Sequence, residues 1–265
     1  MSSASRPRPA LVTGSSRGIG RAIALRLAAE GHDIVVHYRR DGEAAKEVAD
    51  LVQRQGVRAL TCQAELEEPD EILAMFQEIQ SEFGALGVLV ANAASTAFKP
   101  LLEVQAKHID RTFATVVRSF ILLSQQAAQV MPEGGRVVAI SGMDTAFVQK
   151  GHGVLGAAKA AMDTLVRYLS VELGGRGITV NSVLPGYIAS DSSRMYLGEV
   201  STSFQKEIER YTPGGTACTV DDVATMVGFL CGRDAQFITG QNIVLDGGLS
   251  RLGGPWAELN EQLPY

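Results

Sequence analysis

The sequence predicts an α/β protein built as a doubly wound parallel sheet in a single domain. Three observations carry that expectation. Short apolar runs alternate with longer amphipathic stretches, the pattern of repeated βαβ units whose right-handed crossovers cover both faces of a parallel sheet. The first apolar run ends in a glycine-rich turn that opens straight into a helical pattern. The composition, 46% hydrophobic and 20% charged over 265 residues, supplies enough apolar side chains for a sizeable core and excludes wholesale disorder.

The elements follow in order. Ala10–Val12 is the first strand. From Arg17 to Glu30, Ile19, Ile23 and Leu27 recur at helical spacing, and Gly31 is placed to stop the helix. Ile34–His37 is the second strand, Glu43–Gln55 a helix with Gly56 past its end, and Ala59–Cys62 the third strand. Pro69 suits the first turn of a helix running to Phe83, because its missing N–H is not needed there. Val88–Ala91 is the fourth strand, Val104–Met131 one long helix, and Arg136–Ser141 the fifth strand. Leu155–Leu173 is a helix, Thr179–Leu184 the sixth strand, Val220–Leu230 a helix and Asn242–Leu245 the last strand. The domain therefore spans residues 10–250, between a disordered leader (1–9) and a C-terminal extension (251–265) that holds Trp256 and Tyr265. Residues 187–219 are the least regular stretch. An insertion after a late strand lies at the carboxyl edge of such a sheet, where ligands bind, so this segment is expected to be a lid.

Lys plus Arg number 24 against 29 Asp plus Glu, a net charge of −5, which argues against nucleic-acid binding. No apolar run reaches the ~18–20 residues that span a bilayer, so no membrane role is expected. The leader MSSASRPRP lacks the apolar core of a secretory signal. Cys62, Cys218 and Cys231 are scattered, which predicts neither disulfide nor zinc and fits a reducing cytoplasm. His32, His37 and His108 lack metal-ligand spacing and are expected at the surface.

The turn reads Thr13-Gly14-Ser15-Ser16-Arg17-Gly18-Ile19-Gly20. In a Rossmann-type unit Gly14 permits the tight turn, Gly18 lets the backbone approach a phosphate, and Gly20 allows close helix packing. The helix N-terminus then presents N–H groups and a positive dipole to a pyrophosphate. The second strand ends His37-Tyr38-Arg39-Arg40, without the carboxylate that would hold both ribose hydroxyls of NAD. Arg39 and Arg40, with Arg17, offer planar cations to a 2′-phosphate, so the cofactor expected is NADP(H).

Together these residues resemble the short-chain dehydrogenase/reductase family. Thr13–Gly20 is similar to its TGxxxGxG turn, and Ala91-Asn92-Ala93-Ala94 stands where the family has Asn-Asn-Ala-Gly. Lys159 follows Gly156-Ala157-Ala158 as the family lysine does. Asn181-Ser182-Val183-Leu184-Pro185-Gly186 resembles the segment beside the nicotinamide, with Ile188 and Ser190 placed toward the carboxamide. Thr239-Gly240-Gln241 through Asp246-Gly247-Gly248 looks like the family's last strand, and Glu65-Leu66 stands where Asp-Val lies under the adenine. The resemblance implies that Gly14, Ser16, Arg17, Gly18, Ile19 and Gly20 cradle the cofactor, with Asn92 near the adenine-side ribose. Within the family, Ala91–Pro100, Ala157–Leu173 and Tyr211–Thr216 look most like enoyl reductases III of fatty-acid synthesis, followed by 3-oxoacyl-carrier-protein reductases.

The family works with an Asn-Ser-Tyr-Lys set, and only Lys159 is retained. Four residues before it, the usual tyrosine spacing, stands Leu155; seven before it, the enoyl reductase spacing, stands His152. Gly142 takes the serine position, next to Ser141, and Val116 the asparagine position, next to Thr115. Three readings follow. The chain reduces an enoyl or 3-oxoacyl thioester, on acyl carrier protein or coenzyme A, with His152 as donor and Tyr187 as a second candidate. Alternatively it catalyses a non-redox dehydration, isomerisation or cyclisation, with His152 and Asp144 as acid and base. In the third it is a non-catalytic subunit beside another short-chain reductase. Family members usually form tetramers through helices such as Val104–Met131 and Leu155–Leu173, so a homotetramer or a hetero-oligomer is expected.

Overall fold

In the computed structural model, which describes residues 8–189, 198 and 201–252, the seven apolar runs become parallel strands. They are β1 (Ala10–Val12), β2 (Ile34–Tyr38), β3 (Ala59–Gln63), β4 (Val88–Ala91), β5 (Arg136–Ile140), β6 (Thr179–Pro185) and β7 (Asn242–Leu245). Their order is β3-β2-β1-β4-β5-β6-β7. The order in which strands are added therefore reverses between β1 and β4, and the crevice at the carboxyl ends of those strands is the switch point of a doubly wound sheet. Central strands of such a sheet are covered on both faces, which is why β1, β4, β5 and β6 are buried at every position.

Two apolar layers sandwich the sheet. On one face α1 (Gly18–Ala29), α2 (Gly42–Gln53) and α8 (Val220–Cys231) bury Ile23, Leu27, Val48, Val52, Val223 and Val227. On the other, α3 (Pro69–Phe83), α5 (Ser119–Val130) and α6 (Gly153–Gly174) bury Ile72, Phe76, Phe120, Leu123, Met162 and Val166. Local chemistry sets the ends. Pro69 opens α3, and Gly84 closes it in the left-handed region at φ 74°, a conformation glycine adopts without a Cβ penalty. Thr219 and Asp222 form a reciprocal capping box on α8.

Three expectations need correction. The long helix does not begin at Val104. A 3-10 turn (Leu101–Glu103) precedes α4 (Ala106–Phe113), whose start is fixed by a capping box between Gln105 and His108. A π-helical turn, Ala114–Arg118, then separates α4 from α5. Neither Gly nor Pro marks that turn in the sequence. Secondly, Arg8 and Pro9 belong to the fold rather than to a leader: the Pro9 carbonyl accepts hydrogen bonds from Gly87 and Val88 at 2.8 and 3.2 Å. Thirdly, His37 is buried at 2% exposure. It lies on β2, between β1 and β3, where no face is open to water.

Helix α7 (Ser201–Tyr211) falls inside the stretch expected to be a lid. The expectations for Ser190, Trp256, Tyr265 and the leader up to residue 7 lie outside the described residues. No helix among the described residues is long and apolar enough to cross a membrane, and no group of three His, Cys, Asp or Glu there is arranged to hold a metal.

Candidate functional site

Six strand ends, β1 to β6, meet at the carboxyl edge of the sheet and deliver the parts of the site. After β1 the chain turns through Gly14 at φ 65° and Gly18 at φ 57°, both in the region that favours glycine. A Cβ on Gly20 would lie 2.4 Å from the Gly14 carbonyl oxygen, so only glycine lets α1 start this close to the turn. A Cβ on Gly18 would meet nothing within 4 Å, which leaves open space over the helix N-terminus. Arg17, the α1 N-cap, makes no side-chain cap hydrogen bond, and Arg17 and Gly18 are exposed. An open helix N-terminus under a glycine turn fits the pyrophosphate of a dinucleotide.

Asn92, just after β4, holds the turn rather than facing away from it. Its Nδ2 donates to the Thr13 carbonyl at 2.9 Å and to the Gly14 carbonyl at 3.3 Å. The Asn92 and Ala93 amides donate to Thr13 Oγ1 at 2.9 and 3.0 Å. Thr13 and Asn92 thus lock β1 to β4 across the switch point.

On the β2–β3 side, Arg39 leans toward Glu65 at 3.7 Å and Glu67 at 3.9 Å, and Arg40 is exposed. Partly exposed pairs at these distances are weak and exchange readily for a better anion. Glu67 also receives Arg111 at 2.8 Å and the Thr115 hydroxyl at 3.1 Å. Leu66 is buried in the core, so contact with a ligand there is left to its backbone.

Past β6, the Gly186 amide donates to the Leu245 carbonyl at 2.9 Å. A Cβ on Gly186 would sit 3.1 Å from Asp246, so Pro185-Gly186 packs tightly on the end of β7. Ile188 is buried and bridges to Cys218. The Tyr187 ring packs edge-on against Phe204 of α7, with centroids 5.1 Å apart.

The β5–α6 segment places Lys159, Asp144 and His152. Lys159 is buried on α6, and its Nζ donates to the Ile140 carbonyl at the end of β5. Burial pulls its ammonium down to about 8, against the pull of Asp144 and Asp163, which favour the charged form. Asp163, one turn further along α6, is buried and accepts from Ser182 Oγ at 3.0 Å; burial pushes its carboxyl up.

His152 occupies the N-cap of α6, and its Nδ1 faces Asp144 Oδ2 at 3.4 Å. The imidazole and carboxylate are 14% and 8% exposed, so the pair is shielded from water. The ring of Phe98 lies over the imidazole at 4.8 Å, and a backbone bond from Lys99 to the Gly151 carbonyl at 3.2 Å ties the two loops together. Two glycines make the pair possible. A Cβ on Gly142 would come within 2.7 Å of Asp144 Oδ1, so the carboxylate occupies the space that a side chain at 142 would need. A Cβ on Gly156 would meet the Asp144 carbonyl at 2.5 Å, so α6 abuts this loop only with glycine there.

The structure therefore brings Gly14, Ser16, Arg17, Gly18, Ile19, Gly20, Asn92, His152, Lys159, Pro185, Gly186, Tyr187 and Ile188 to one edge, with Arg39, Arg40 and Glu65 on its β2–β3 flank. Sequence reasoning gave Asp144 less weight than its place earns, and it missed His37. The signal for Asp144 was a pair of small residues, Gly142 and Gly156, around an acid eight residues before a histidine. For His37 it was an inner position on a strand of a parallel sheet.

Comparison with known proteins agrees with this geometry. Residues 14–250 match a family model described as enoyl-(acyl carrier protein) reductase. The 1-cyclohexenylcarbonyl-CoA reductase of Streptomyces collinus is 38% identical over 262 residues, covering 98% of this chain and 93% of that protein. The 3-oxoacyl-[acyl-carrier-protein] reductase FabG of Staphylococcus aureus is 35% identical over 244 residues, covering 91% and 98%. Among solved structures, a short-chain dehydrogenase of Burkholderia cenocepacia in complex with NADP superposes with a TM-score of 0.85 at 34% identity, covering 92% of this chain and 98% of that one. The angucycline C-6 ketoreductase LanV with bound NADP superposes at 0.84 and 35% identity, covering 91% and 95%. The chain belongs to the short-chain dehydrogenase/reductase family, in the branch whose model is that of enoyl-(acyl carrier protein) reductases.

Proposed function

We propose that the protein is an NADPH-dependent reductase of 2-enoyl thioesters in which the Asp144–His152 pair stands in for the missing tyrosine. The observation that carries this reading is the pair itself, at 3.4 Å, with Asp144 in the space left by Gly142 and His152 at the N-cap of the helix that holds Lys159. The names of the relatives support thioester substrates and NADP, and the absence of a carboxylate at the end of β2 supports NADPH over NADH.

The residues divide the work. Gly14 to Gly20 and the α1 N-terminus hold the pyrophosphate, Arg39, Arg40 and Arg17 the 2′-phosphate, and Pro185, Gly186 and Ile188 flank the nicotinamide. Bound NADPH supplies a hydride to Cβ of the unsaturated acyl group. Lys159, still largely protonated at neutral pH, holds the ribose and favours negative charge developing on the thioester oxygen. Asp144 fixes Nδ1 of His152, so the proton handled by the ring is at Nε2. In the doubly protonated imidazolium that nitrogen donates toward the thioester oxygen, and Cα takes up from solvent water the proton that completes saturation. The overall reaction would saturate one carbon–carbon double bond for each NADPH oxidised to NADP⁺. A Nδ1 contact of 3.4 Å in the unliganded site is of the kind that tightens when substrate closes it.

Enoyl reduction suits this site better than ketone reduction. The final proton goes to carbon in the first case, whereas in the second a positioned general acid must deliver its proton to the developing alkoxide oxygen, the task of the absent tyrosine. A non-redox dehydration, isomerisation or cyclisation is a second reading that rests on the same acid–base pair. Exposed Tyr168 and Val171 on α6 support a seam between copies of the chain, hence an oligomer.

NADPH oxidation with crotonyl-CoA and acetoacetyl-CoA tests the reading. It expects turnover with crotonyl-CoA at least about tenfold faster than with acetoacetyl-CoA. Conversion of a thioester without loss of NADPH establishes the non-redox reading instead.

A further inference from the structure

We infer that His37 is a positioning residue for the cofactor: its imidazole is a strut between the phosphate turn and the wall of the adenine pocket. The inference rests on the dinucleotide site proposed above and goes beyond it, to a residue with no place in the family motif.

Three hydrogen bonds define the strut. The Gly14 amide donates to His37 Nδ1 at 2.9 Å. On the far side of the ring, His37 Nε2 lies 3.1 Å from the Ala64 carbonyl. The Ser15 amide donates to the His37 carbonyl at 2.9 Å. An imidazole that accepts at Nδ1 and donates at Nε2 is neutral, with its proton on Nε2. Burial keeps it so, pulling the group down to about 4.

The placement gives this bond pattern its meaning. Gly14 is the left-handed residue that turns the chain toward α1, and its amide has no strand partner once β1 ends at Val12. Ala64 is the residue just before Glu65 and Leu66 at the end of β3. One ring therefore sets the spacing between the phosphate turn and the adenine side, across the end of β2. Thr13 and Asn92 fix the same turn from the β4 side, so the turn is held from both flanks of the switch point. A ligand meets a turn already in its bound shape, and the ordering cost is lower on binding.

Two polar substitutions separate the ends of the strut. In His37→Asn, Oδ1 sits where Nδ1 was and keeps the Gly14 bond while losing reach to Ala64. In His37→Gln the longer amide reaches toward Ala64 and gives up the Gly14 bond. NADPH Kd by fluorescence titration, thioester KM at saturating NADPH, and Tm are measured on the full chain. The strut predicts His37→Asn within about threefold of wild type in Kd, and His37→Gln weakened by about tenfold or more, with thioester KM within twofold for both. A purely structural role lowers Tm and leaves Kd alone. Equal NADPH affinity in wild type, His37→Asn and His37→Gln overturns the inference and leaves the cofactor site intact. Failure of wild type to bind NADPH overturns the cofactor site itself, and the strut with it.

Discussion

The two halves of the sheet edge have solved their problems differently. On the β1–β2 side the work is done by backbone. Gly14, Gly18 and Gly20 take conformations or approaches that a Cβ forbids, and Thr13, Asn92 and His37 hold them through hydrogen bonds. On the β5–α6 side the proposed work is done by side chains, and the proposed set differs from the one the family resemblance implies. Gly142 has no side chain to offer, and the Asp144 carboxylate has moved into the vacated space and faces His152. Backbone requirements pin residue identity, because few residues satisfy them. An acid or a hydrogen-bond donor can be supplied by several side chains from several positions.

Substitutions can break this contrast. In the proposed reading Lys159 serves both halves. Lys159→Ala is expected to lower kcat/KM by about 10³-fold or more and to weaken NADPH as well, read from steady-state kinetics and cofactor titration. Gly142→Ser restores the family residue. In an ordinary member a serine there helps, but here its Cβ would meet Asp144 at 2.7 Å and drive the carboxylate off His152. The account predicts about a 10²-fold loss of kcat from this apparent repair, with NADPH Kd unchanged. Any gain in rate contradicts the coupling between Gly142 and the pair.

The binding half makes its own predictions. His37 ordinarily titrates near 6.5 and is held at about 4 by burial. The unfolded chain therefore takes a proton that the folded chain refuses between those values. Stability contributed by neutral His37 is complete above pH 6.5 and is lost as pH falls toward 4, by about 3 kcal/mol. Urea unfolding at pH 7 and pH 4 is expected to show a smaller loss in His37→Asn than in wild type. The smallest effect is expected at Arg39, whose present partners are 3.7 and 3.9 Å away. Arg39→Ala is predicted to reduce the preference for NADPH over NADH by about tenfold, read from the ratio of the two Kd values.

The same contrast governs what was legible in the sequence. Strand–helix alternation and the Thr13–Gly20 turn announced the sheet and its switch point, because periodicity and glycine placement are local signals. His152 and Lys159 were visible as the seven-residue spacing that the family resemblance implies. Asp144 was legible as a partner of His152 only in the non-redox reading and otherwise as a turn residue, since its partnership depends on the loop through Gly142 and on contact with the α6 N-cap. The π-helical turn at Ala114–Arg118 has no mark in residue type, and Val104–Met131 therefore read as a single helix. His37 was assigned to the surface because a polar residue at a strand end ordinarily lies there. Its two ring nitrogens find partners 23 and 27 residues away in the chain, and no local pattern encodes that.

The central claim is that His152, held by Asp144, performs the acid's task. The direct test is kcat for NADPH oxidation with crotonyl-CoA in wild type and His152→Ala, with NADPH Kd measured on both. The account predicts a fall in kcat of about 10²–10⁴-fold at an NADPH Kd within twofold of wild type. Retention of kcat within threefold in His152→Ala would contradict it.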